Sequence, residues 1–71
     1  MNTKVLERLG KKIKLARKEA GYTQEILAEK LSIHPTYVGK LEGGKNNPSF
    51  MLLYKMSKAL KVKIKDLLDI E

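Results

Sequence analysis

The sequence predicts an all-α fold of five short helices, and three observations carry that prediction. Apolar residues recur at three- and four-residue spacing along most of the chain, as a helix with one inner face requires. Threonine, serine or proline stands where successive helices would start, and glycine stands where some would stop. No internal repeat, linker or low-complexity segment interrupts the pattern, so 1–71 reads as one domain.

The first helix runs from Lys4 to Ala20. Its apolar residues Val5, Leu9, Ile13, Ala16 and Ala20 are separated by charges, and Gly21 ends it as a left-handed cap. Thr23 caps the second helix, Gln24 to Leu31, whose inner face is Leu27, Ala28 and Leu31. Pro35 lacks the backbone N–H that a first helical position leaves unused, so a third helix starts there and runs to Glu42 with Val38 and Leu41 inward. The methyl side chain of Ala28 lets these two helices cross closely over a short turn at Ser32-Ile33, which is helix-turn-helix geometry. Gly43-Gly44 supplies positive-φ positions, and Lys45 to Pro48 is a turn-rich loop. Ser49 caps a fourth helix with Phe50, Leu53, Met56, Ala59 and Leu60 inward. Ile64, Leu67 and Leu68 fit a short fifth helix, with Ile70 just beyond it.

Composition narrows the function classes. A chain of 71 residues buries only about 60% of its unfolded surface, which leaves no room for a second catalytic or sensing domain. There is no cysteine, hence no disulfide framework and no zinc–thiolate site. The longest apolar run is too short for a bilayer, and Met1-Asn2-Thr3-Lys4 leads into a charged helix instead of a signal-peptide core, so a soluble cytoplasmic protein with no membrane partner is expected. One histidine and no spaced Asp/Glu/His set give no nucleophile–base pair, so catalysis, cofactor and metal are not expected.

The net charge of +7 favours a polyanion. Lysines and arginines crowd the first helix and the last third, whereas between Thr23 and Lys45 three basic residues balance three acidic ones. Sequence reading in the middle must come from a few placed side chains, with phosphate attraction arising largely elsewhere.

At Gly21-Tyr22-Thr23-Gln24-Glu25, Leu27-Ala28-Glu29-Lys30-Leu31, Tyr37-Val38, Leu41-Glu42, Gly44-Lys45, Asn47-Pro48-Ser49 and Ala59-Leu60 the chain resembles the Cro/repressor (XRE-like) type of helix-turn-helix. The resemblance spans roughly residues 9–68. It departs at Ser32 and Lys61, where that family favours glycine, and at Ile26, where it favours glutamate. It implies a transcriptional regulator that binds double-stranded operator DNA as a homodimer, of the phage-repressor or restriction-modification-controller kind. An antitoxin-type module with a toxin as its main partner, and DNA binding as autoregulation, is the alternative; beside DNA, a toxin or RNA polymerase is the protein partner to expect.

The resemblance implies that the third helix lies in the major groove with His34, Pro35, Thr36, Gly39 and Lys40 toward the bases. Lys40 can donate to guanine O6 and N7, Thr36 can meet a base edge or a thymine methyl, and Pro35 can serve only as a shape contact. Gly39 costs about 0.8–1 kcal/mol in a helix relative to alanine, which close approach to DNA would explain. Gln24, at a helix start, is matched to a phosphate ligand, as are Tyr37, Lys45, Asn46 and Asn47. Arg17 and Glu42 match the family's ion pair joining the first and third helices. Dimerisation is expected through the C-terminal third, centred on Leu67 and Ile70 with Leu52 or Met51, because Met51 and Leu52 exceed what a core stripe needs.

Overall fold

The computed structural model describes residues 3–71, so the part of the reading that rests on Met1-Asn2 lies outside the described residues. Five helices follow in order: α1 (Thr3–Glu19), α2 (Gln24–Leu31), α3 (Pro35–Glu42), α4 (Phe50–Leu60) and α5 (Ile64–Leu67). Among the described residues there is no strand, and no helix is long and apolar enough to cross a membrane.

The starts and stops of these helices follow from local chemistry. Thr23 Oγ1 accepts from the Ile26 N–H and Ser49 Oγ from the Leu52 N–H, each satisfying a donor that the first helical turn leaves unpaired. The ends of α1 to α4 share one device, in which a left-handed residue turns the chain and two successive N–H groups bond back to the last carbonyls. The left-handed residues are Gly21, Ser32, Gly44 and Lys61, with φ of 79°, 57°, 71° and 58°. The pattern at α3 is typical: the Gly44 N–H donates to the Leu41 carbonyl and the Lys45 N–H to the Lys40 carbonyl. Gly43 has φ of −85°, so only the second glycine of the expected pair needs its conformational freedom.

Leu9, Ile13, Leu27, Ala28, Val38, Leu41, Leu53, Met56, Leu60 and Leu67 form a continuous buried core to which every helix contributes. Truncating any of the larger members to alanine would cost about 2–5 kcal/mol. Phe50 does not belong to this core. It is 60% exposed, because the inward stripe of α4 runs through Leu53, Met56 and Leu60, and the first-turn residue falls outside it.

Gly10 sets how closely α1 meets the end of α3. A Cβ there would stand 2.4 Å from the Glu42 carbonyl oxygen and 2.6 Å from that of Leu41, so only glycine admits this backbone approach. Gly44 meets the same helix one turn earlier, where a Cβ would lie 2.8 Å from the Cα of Glu7. The C-terminal end of α3 is thereby held directly against α1, and the outward face of α3 inherits that fixed orientation.

Candidate nucleic-acid interface

Val38, Leu41 and Glu42 are buried, which leaves Thr36 and Lys40 exposed and Pro35 and Gly39 half-buried on the opposite face of α3. These four residues line an open cleft of about 420 Å³ together with Gln24, Glu25, Gly43 and Lys45. Six of the expected contact residues therefore share one surface: Gln24, Pro35, Thr36, Gly39, Lys40 and Lys45. His34, Tyr37, Asn46 and Asn47 lie outside its lining.

A buried polar network beneath the cleft fixes its walls. Arg17 Nε donates to Glu42 Oε2 at 2.6 Å and Arg17 Nη2 to Glu42 Oε1 at 3.1 Å, a two-pronged contact between α1 and α3. Arg17 Nη1 also donates to the Tyr22 carbonyl at 2.8 Å, tying in the segment that leads to α2. The hydrogen bond to Glu42 raises the Arg17 pKa above arginine's ordinary value, against the opposing effect of burial, so the guanidinium stays charged.

Gln24 joins the same network. Its Nε2 donates to Glu42 Oε1 at 3.1 Å, which orients the carboxamide at the N-terminus of α2. The first N–H groups of that helix also point out of it, and the helix dipole favours an anion there. Glu25, which the sequence reading left without a role, lines the cleft beside Gln24 and puts a negative charge next to that anion-favouring end.

Gly39 has no packing reason to be glycine. A Cβ would sit 3.7 Å and 3.8 Å from the Gln24 carboxamide, ordinary contact distances, so the protein itself would tolerate a side chain there.

His34 stands at the entrance of α3, where it takes a structural role that the sequence does not announce. Its Nδ1 accepts from the Thr36 N–H at 3.1 Å, so the imidazole caps α3. That bond requires an unprotonated Nδ1 and places the proton of the neutral ring on Nε2. Tyr37 is half-buried against the core, Asn46 is half-buried, and Lys45 and Asn47 are exposed.

The expected dimer surface needs correction. Leu67 is 1% exposed, since the single turn of α5 points it straight into the core, and it has no side-chain surface to offer a partner. Leu52 and Ile70 are half-buried and pack against that core. Met51 is 58% exposed and adjoins Phe50 on the first turn of α4.

Comparison with known proteins adds three findings. A family model described as helix-turn-helix matches residues 13–67. The transcriptional regulator SinR of Bacillus subtilis is 40% identical over 62 residues, which is 86% of this chain and 56% of that protein. The chain thus spans little more than half the length of that relative. Two solved structures are similar as well. The restriction-modification controller protein C.AhdI from Aeromonas hydrophila has a TM-score of 0.84 at 31% identity, covering 87% of this chain and 94% of that one. SinR in complex with DNA has a TM-score of 0.79 at 40% identity, covering 86% and 98%.

Proposed function

We propose that this chain, which belongs to the helix-turn-helix family, binds double-stranded DNA through α3 and regulates transcription as a homodimer on a two-fold operator. The observation that carries the reading is the cleft itself. A helix held rigidly at its buried end presents Thr36, Gly39 and Lys40 beside the N-terminus of a second helix. Donors for base edges and an anion-favouring helix end then stand side by side, as reading bases while gripping the backbone requires.

Thr36 and Lys40 meet the bases, Pro35 and Gly39 lie flat against the groove, and Gln24, Tyr37 and Lys45 hold phosphates, with Asn46 and Asn47 following along the backbone. His34 acts chiefly by shaping the start of α3, and its other ring nitrogen remains available to a phosphate or base. The similarity to SinR in complex with DNA supports this docking. The chain acts as one domain in the cytoplasm, without catalysis of its own.

One recognition helix touches few base pairs, so useful specificity needs two copies on half-sites about one DNA turn apart. The self-association surface is centred on Phe50 and Met51, two large apolar side chains left to solvent at adjacent positions. DNA selected from a random duplex library, followed by sedimentation with and without it, tests both claims. The selected sites should be two-fold symmetric, and Met51→Asp should yield a folded monomer with weakened DNA affinity. Selection of no preferred sequence would contradict the reading.

A further inference from the structure

On another part of the molecule, the last turn of α2, the C-terminal half of α4 and Tyr22 line a second cleft, of about 730 Å³, which shares no residue with the first. Its rim carries Lys30, Lys55, Lys58 and Lys61, and no acidic residue lines it. None of these four ammonium groups is in a salt bridge among the described residues. Two are held over aromatic rings, Lys30 at 5.0 Å from the Tyr22 centroid and Lys58 at 5.2 Å from that of Tyr54. Such pairing keeps a cation in place without neutralising it.

Balancing of helix dipoles accounts for part of this charge, since Lys30 and Lys58 stand in last turns. It does not account for the rest. Lys55 and Lys58 are one turn apart on α4, a like-charge spacing that weakens a helix. Lys61 occupies a left-handed position, φ 58°, that glycine would fill with less strain. The chain therefore concentrates cations here against local preference.

We propose that this cleft is a docking surface for an acidic protein segment that carries apolar side chains between its carboxylates. The floor chooses between polyanions. Tyr54 is 42% exposed and Tyr22 and Ala59 are half-buried among the lining residues, so ring and methyl surface lies between the ammonium groups, while Leu31 beneath them belongs to the core. An acidic peptide can cover that floor and pair with the rim at once. A DNA duplex presents a convex, wholly polar backbone that leaves it empty. The site is separate from the α3 cleft, so a partner here can be held while DNA is bound.

The test uses the full chain and a fluorescein-labelled peptide of repeating Glu-Glu-Leu-Asp, followed by fluorescence anisotropy and amide chemical-shift mapping. The shifts should centre on Tyr22, Tyr54 and Lys58. Lys58→Gln with Lys61→Gln should weaken the peptide about tenfold, whereas Lys11→Gln with Lys14→Gln, the same charge change on α1, should weaken it less than about twofold. Circular dichroism melts establish that both variants fold. Equal weakening by the two pairs, no binding of the peptide, or shifts centred on Thr36 and Lys40 would overturn the proposal. So would displacement of the peptide by a duplex that moves the Tyr22 and Tyr54 signals itself. Failure of sequence-selective DNA binding would leave these readouts unchanged, so the two proposals stand or fall separately.

Discussion

Replacing Glu42 with glutamine keeps the shape of the buried network and removes its negative charge. Arg17 then stays buried, with Nε and Nη2 facing a neutral amide whose oxygen can accept only part of what the carboxylate accepted. The Nε2 of Gln24 also loses its acceptor at Oε1, or competes with Arg17 for it. Breaking one partner of a buried pair costs about 3–5 kcal/mol. A domain of 71 residues has a total stability of about 4–11 kcal/mol, so the loss is a large fraction of the whole. Thermal melts without DNA should show Tm lower by at least about 12 °C. Arg17→Met combined with Glu42→Leu should recover part of this, because no charge is then stranded, although the Tyr22 carbonyl still loses its donor. Folding raises the Arg17 pKa, so its contribution is complete below the ordinary arginine range and fades only as pH climbs past it. The difference in Tm between the parent and Arg17→Met should therefore hold steady between about pH 7 and pH 9. An unchanged Tm for Glu42→Gln would refute the claim that this pair joins α1 to α3.

Three further substitutions separate stability from binding. Gly39→Ala should raise stability by about 0.8–1 kcal/mol, since the added methyl meets only ordinary contacts, and should weaken DNA binding if bases approach the helix there; melts and DNA titrations on one sample read both signs. Ser32→Gly should raise Tm, because serine's left-handed strain exceeds the entropy glycine adds to the unfolded chain by roughly 0.5–1 kcal/mol. Glu25→Gln should tighten DNA binding and flatten none of its sequence preference, because it removes a like charge beside the end of α2 proposed to hold phosphate; filter binding at two salt concentrations would show the gain shrinking as salt rises.

The helix starts were legible because they rest on short-range chemistry. Thr23, Pro35 and Ser49 each satisfy or avoid an unpaired backbone donor within four residues, and the boundaries of α2 and α3 fall where those residues place them. Helix ends were legible where glycine marked them, at Gly21 and Gly44, and at the Ser32-Ile33 turn, which closes α2 at Leu31 as expected. Ser32 and Lys61 take the same left-handed turn with no glycine to signal it, because the back-bonding N–H groups enforce the geometry. The α3 face was legible from periodicity, since burial of Val38 and Leu41 dictates what remains outside. Packing between distant segments was not. Nothing in the sequence singles out Gly10 within the first helix, and only the Glu42 and Leu41 carbonyls beyond it explain why it carries no side chain. Phe50 and Leu67 were exchanged in role for the same reason. Apolar character alone does not reveal which end of a stripe the neighbouring helix covers, and α5 is too short for a period to show.

The most direct test of base reading by α3 is a set of titrations of Lys40→Ala and Lys45→Ala against the selected DNA site and its single-base variants. Lys40→Ala should lose about 1–3 kcal/mol on the parent site and lose discrimination at one base position, whereas Lys45→Ala should weaken every site alike and reduce the salt slope by about one. Uniform weakening by both variants, with the preference at every position intact, would contradict the account.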